Sequence, residues 1–127
     1  MTIEAYLDSI KERFVTDPIV TSFQLIRERS TLVDGHLRVR LTLADGNQLE
    51  FSEYVQRSAT GEIAVITYRY HWADADNQLI KRWDNTPHFP DLPRFPDHMH
   101  DGATGEVTPG QPMSIFAVPH AIAGRSR

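Results

Sequence analysis

The chain contains no cysteine among its 127 residues. That excludes disulfides, thiolate metal ligands and a cysteine nucleophile, and it leaves a reducing or indifferent compartment. No stretch approaches the roughly 20 apolar residues that a membrane-spanning helix needs. The start, MTIEAYLDSIKERF, lacks the apolar core of a secretion signal, so the expectation is a cytoplasmic chain with no membrane partner. An excess of basic charge is also missing: 13 Lys and Arg stand against 17 Asp and Glu, for a net charge of −4. This argues against sequence-independent binding of duplex DNA, while leaving room for a local cationic site that holds a few phosphates. A glycine-rich phosphate loop, a G-x-S-x-G elbow and an H-E-x-x-H helix are all absent. So are internal repeats and low-complexity linkers. With 40% hydrophobic and 24% charged residues, the expectation is a single domain over 1–127.

What is present is a change of period. Ile3, Leu7, Ile10 and Phe14 recur three or four apart and predict a short amphipathic helix over 3–15, started by Thr2 and stopped by Asp17-Pro18. From residue 19 the period becomes two. IVTSFQLIRERSTLV reads as a strand closed by a turn at Asp34-Gly35. HLRVRLTL puts Leu37, Val39, Leu41 and Leu43 on one face and His36, Arg38, Arg40 and Thr42 on the other. ADGN at 44–47 signals a hairpin into QLEFSEYV, ATGE at 59–62 a turn into EIAVITYRYHWADA, and DADN at 74–77 a turn into QLIKRW. Short turns without crossover helices predict an α+β fold: an N-terminal helix packed on an antiparallel meander sheet of about five strands, followed by a His/Pro-rich loop and a short C-terminal helical segment.

The chemistry gathers late in the chain. WDNTPHFPDLPRFPDHMH, residues 83–100, holds three histidines and four prolines in eighteen residues. Proline removes backbone donors and fixes φ, so the segment is expected to be a stiff loop. Before it, alternation sets Tyr68, Tyr70 and Trp72 on one face of a strand and Thr67, Arg69 and His71 on the other. If Ala73 pairs with Gln78, then Arg69, His71, Arg82 and Asp84 share a face; a one-residue slip would scatter them. In extended backbone His98 and His100 point the same way and could flank a phosphate or chelate a metal, with Asp84, His88 or Asp97 completing the set. No zinc spacing motif is present, so the expectation is no cofactor, with a metal at His98 and His100 left open.

Cleaving RNA requires a base for the 2′-OH proton, an acid for the leaving oxygen and a cation on the phosphorane. Histidine and arginine suit those tasks near neutral pH. The candidate catalytic set is therefore His71, Arg82, Asp84, His88, His98 and His100. Arg69 and Arg94 would bind substrate, and Tyr70 and Trp83 could stack an unpaired base if they prove exposed. The Asp84-Asn85-Thr86-Pro87 stretch also reads simply as a turn opener. His36 and His120 stand alone and are taken as surface residues.

YRYHW at 68–72, LIKRWDNTPH at 79–88 and FPDHMHDG at 95–102 follow an order that resembles the TumE-like family of small toxin–antitoxin toxins. The family's aromatic-His strand falls on Tyr70-His71-Trp72, its Arg-aromatic-Asp-Asn segment on Arg82 to Asn85, its Pro-His on Pro87-His88, and its Phe-Pro-x-His-x-His loop on Phe95, Pro96, His98 and His100. Many relatives carry a second histidine where Phe89 stands here, and a histidine or basic residue at the places of Asp97 and Met99. The resemblance implies a growth-inhibiting toxin encoded beside a cognate antitoxin, often a helix-turn-helix protein. Metal-independent RNA cleavage, with loop histidines as acid and base, is the extrapolation from the His and Arg inventory. A non-catalytic interaction module and a His-ligated metal-dependent hydrolase are the alternatives, and a homodimer stays open.

Overall fold

The computed structural model describes residues 1–110, so the expected C-terminal helical segment and His120 lie outside the described residues. Helix α1, Ile3–Thr16, is followed by β1 (Val20–Ser30), β2 (Asp34–Leu43), β3 (Gln48–Arg57), β4 (Ile63–Ala73), β5 (Leu79–Asp84), β6 (His98–Asp101) and β7 (Val107–Pro109). Each strand pairs antiparallel with the next, in one sheet ordered β1 to β7. The α+β class and the meander agree with the sequence reading. The strand number does not: among the described residues seven strands stand where about five are expected, because the end of the proline-rich segment becomes β6 and Val107–Pro109 adds β7.

The helix begins where Thr2 Oγ1 accepts from the Ala5 N–H at 3.0 Å, which satisfies one of the free amide groups of the first turn. It ends at Asp17, ahead of Pro18. Its buried stripe, Ile3, Leu7, Ile10 and Phe14, lies on β1, β2 and β3. Beneath it sit Leu37, Val39, Leu41 and Leu43 of β2 and Leu49, Phe51 and Val55 of β3. Burying each such side chain contributes roughly 1.5–3 kcal/mol. The core face continues into Tyr68, Tyr70 and Trp72 of β4 and Trp83 of β5. The helix packs tightly over Gly35, where a Cβ would stand 2.5 Å from Ile3 Cγ2.

Two turn expectations are corrected. The β1–β2 turn is residues 31–33, not Asp34-Gly35. Thr31 Oγ1 donates to Asp34 Oδ1 at 2.7 Å and accepts from the Asp34 N–H, so Asp34 opens β2. Across DADN, Ala73 pairs with Leu79 rather than Gln78, and a register shift between Trp72 and Ala73 then sets His71 opposite Arg82 and Arg69 opposite Asp84. The displacement is two residues, so every side chain keeps its face.

Candidate functional site

The sheet face away from α1 carries the polar half of every alternating strand. In register across five strands stand Arg38, Ser52, Arg69, Asp84 and His98. The adjacent row is Arg40, Glu50, His71, Arg82 and His100. Neighbours in a row are directly opposed residues, whose side chains interact across the ladder.

Asp84 is the centre. It is 4% exposed although it lies on the helix-free face. Its Oδ1 accepts from the Thr86 N–H at 3.0 Å, the local turn bond expected of this Asp, and lies 2.8 Å from His98 Nε2. Its Oδ2 is 3.6 Å from His100 Nε2. His98, 2% exposed, turns its other nitrogen to the Pro96 carbonyl at 2.9 Å. The two histidine rings are 5.0 Å apart, and the Phe89 ring meets both edge-on, at 5.3 Å and 6.2 Å. Phe89 holds φ at 58°, in the left-handed region that costs a side-chain-bearing residue about 1–3 kcal/mol. The strand alternation of β6 thus delivers what the HxH spacing promised, while the preceding loop folds Phe89 back as a cover.

Beside this group, Arg82 Nε donates to His71 Nδ1 at 3.2 Å, which leaves the ring proton on Nε2. Burial, reinforced by Arg82 and Arg69 and opposed by Glu50, holds His71 below the ordinary histidine value. His100 is likewise held low by burial, with Asp84 pulling the other way and His98, Arg82 and Arg69 adding to the depression. Arg69 is exposed, and its side chain makes no hydrogen bond or salt bridge among the described residues. A depression of about 430 Å³ runs over β2 to β4 on the same face, lined in part by His36, Arg38, Arg40, Glu50, Arg69 and His71.

The structure brings together Arg69, His71, Arg82, Asp84, His98 and His100. It sets the other expected residues elsewhere. His88 is exposed on the loop, its ring set edge-on to the adjacent Phe89. Arg94 is tied down, its Nε donating to the Gly110 carbonyl at 2.8 Å. Tyr70 is fully buried with its hydroxyl on Glu53 Oε2, and Trp83 is buried against Trp72. The exposure that base stacking required of these two rings is absent. Asp97 accepts from the Tyr68 hydroxyl at 2.6 Å and is not part of the His98–His100 group.

Sequence reading missed the contribution of β2 and β3. His36, taken as an isolated surface residue, is half-buried; its Nε2 lies 2.9 Å from Ser52 Oγ, and its Nδ1 has no hydrogen-bond partner. Glu50 accepts from Arg38 Nε at 2.8 Å and Arg40 at 3.1 Å. The alternation of β2 had marked Arg38 and Arg40, but the partner Glu50 depends on how the hairpin closes: the Leu43 N–H donates to the Asn47 carbonyl, and that register sets Arg40 opposite Glu50.

Asp84, His98 and His100 are the group with metal-ligating capacity among the described residues. No helix among those residues is long and apolar enough to cross a membrane. No curated protein and no solved structure matches the chain. The family model described as toxin TumE matches residues 10–123, a span that takes in the second half of α1 and every residue of the two polar rows, and the chain therefore belongs to that toxin family.

Proposed function

We propose that this chain is the toxin half of a toxin–antitoxin pair and that it arrests growth by cleaving RNA on the helix-free face of its sheet. The observation that carries the reading is the pair of cross-strand rows that sets Arg69, His71 and Arg82 against Asp84, His98 and His100. The two guanidiniums match the oxygens of a phosphodiester, and Arg69 has no internal partner among the described residues to give up. His71 offers its Nε2 proton as a further hydrogen bond to phosphate. The Asp84–His98–His100 group takes the proton of the 2′-OH. The 2′ oxygen then bonds to phosphorus, the bond to the 5′ oxygen breaks, and that oxygen leaves with a proton from water. The products are a 2′,3′-cyclic phosphate and a free 5′-OH. Buried Tyr70 and Trp83 contribute nothing to base binding, so recognition is of the sugar–phosphate chain rather than of a particular base.

The cognate antitoxin, in this reading a helix-turn-helix protein, relieves the arrest. The test is induction of the chain in a bacterial host with capture of RNA termini. Arrest accompanied by new 2′,3′-cyclic phosphate ends, both lost in Arg69→Ala, is expected. Arrest that persists unchanged in Arg69→Ala without new RNA ends overturns the RNA reading and favours a toxin that acts by binding alone.

A further inference from the structure

We infer that Asp84, His98 and His100 bind one divalent transition-metal ion. Each offers one ligand atom, and the three atoms lie within 4.8 Å of one another. Donors at about 2.0–2.2 Å from a zinc-sized ion, 90–110° apart, stand roughly 3.0–3.4 Å from each other. Asp84 Oδ1 lies 2.8 Å from His98 Nε2 and Asp84 Oδ2 lies 3.6 Å from His100 Nε2, so each carboxylate oxygen faces one imidazole near that spacing. Binding would draw the two imidazole nitrogens, which lie within 4.8 Å of each other, together onto the ion.

The hydrogen bonding points the same way. A carbonyl oxygen only accepts, so His98 Nδ1 carries its proton toward Pro96 and Nε2 is left with its lone pair aimed at a carboxylate oxygen. Two electron-rich atoms 2.8 Å apart need a cation between them, either a second ring proton or a metal. An imidazole N–H fixed on a backbone carbonyl is also the outer bond by which proteins hold a metal-ligating histidine in the correct tautomer. The Thr86 N–H does the same for the carboxylate. The His100 side chain makes no hydrogen bond among the described residues, and its Nε2, at 3.6 Å from Asp84, is too far for one there.

The donor set selects the ion. Two imidazoles and one carboxylate suit zinc, manganese, cobalt or ferrous iron, whereas magnesium and calcium prefer oxygen alone. Three protein ligands leave a position open to water, the pattern of reactive rather than structural sites. Phe89 covers the two rings from the loop side, so the remaining approach is along the rows toward Arg69 and Arg82. The inference rests on the RNA reading only for its use: a metal-bound hydroxide there would be the base that accepts the 2′-OH proton.

The experiment titrates metal-free full-length protein with Zn²⁺, Mn²⁺ and Co²⁺, with Mg²⁺ as the comparison, by calorimetry and, for Co²⁺, by visible absorption. Binding of one transition-metal ion is expected, weakened at least tenfold in both His100→Ala and Asp84→Asn, with the Co²⁺ spectrum lost. Circular dichroism of His100→Ala, whose half-buried ring has no hydrogen bond to lose, separates a lost site from a lost fold. Absent binding, or binding that both folded variants retain, overturns the metal site. RNA cleavage undiminished by a chelator, together with absent binding, overturns the metal and leaves His100 itself as the base. Binding that depends on these residues in a protein that cleaves no RNA supports the metal site and overturns the RNA reading instead.

Discussion

Beneath α1 the strands present Leu37, Val39, Leu41, Leu49, Phe51 and Tyr70, while the intervening residues of the same strands present Arg38, Arg40, Glu50, Ser52, Arg69 and His71. Each face contains buried acid, and the two acids are treated differently. Glu53, fully buried on the core face, accepts from the hydroxyls of Tyr6 and Tyr70, both at 2.8 Å. Its partners come from the helix and from β4, so the carboxylate ties α1 to the middle of the sheet. Asp84, nearly as buried on the reverse face, meets histidine nitrogens and one amide. Neutral hydroxyls make Glu53 a structural fastening. Asp84 instead faces imidazole nitrogens, which can exchange protons or bind a metal as the proposed site requires. Burial alone therefore does not distinguish the two acids; the kind of partner does, hydroxyls that stay protonated far into the alkaline range against imidazoles.

Variants on the two faces should separate cleanly. The largest effect is expected from His100→Ala, which should reduce killing after induction by about 10²-fold or more. Its melting temperature should stay near that of wild type, and colony counts beside calorimetry check both. His98→Ala is the poorer probe, because it also removes the ring packed between Asp84 and Pro96. Next in size is Phe51→Ala under the helix, which should cost about 3–5 kcal/mol in urea denaturation. It would lower activity only through loss of folded protein. Tyr70→Phe deprives a buried carboxylate oxygen of a donor and should cost about 1–3 kcal/mol by the same method.

The faces should also divide the pH profile of stability. On the reverse face, His36 and His71 are held below the ordinary 6.5, by burial first and by nearby arginines second. The fold therefore prefers them neutral. Their contribution is present above pH 6.5 and is lost as pH falls through the folded values, so melting temperature should drop on acidification. His71→Gln should flatten that limb. On the core face, Tyr6 and Tyr70 are pushed far above the ordinary 10.0, by burial first and by Glu53 second. Their contribution is complete below pH 10 and is lost as pH rises beyond it, where the unfolded chain ionises them. Tyr70→Phe should flatten the alkaline limb and leave the acid one alone. The smallest effect belongs to Arg38→Gln: its pair with Glu50 is half-exposed, and about 0.2–1 kcal/mol is expected in denaturation at low salt, less at high salt.

The α1 stripe, the alternation of β2 and the ADGN hairpin were legible in the residues, because local periodicity and turn chemistry decide them. The grouping of Arg69, His71, Arg82 and Asp84 was legible too, although the register was two residues out. Face is set by the parity of the pairing and survives an even displacement. In sequence HMHD looks like the end of a loop, because the prolines before it mask a four-residue strand whose formation depends on β5 being there to pair with it. That pairing is what brings His98 and His100 to Asp84, fourteen and sixteen residues away in the chain. His36 was passed over for the same reason, since its partner Ser52 lies across a strand boundary.

By itself, then, the order of residues determined the helix, the alternating strands and which side chains share a face, all consequences of the 3.6 and 2.0 periods of the backbone. Only the tertiary structure decided that Tyr70 and Trp83 are shut away, that Arg94 is spent on Gly110, and that Asp84 is enclosed with two imidazoles. Those outcomes depend on pairings between distant segments and on a loop folding over a face, and no local period encodes either.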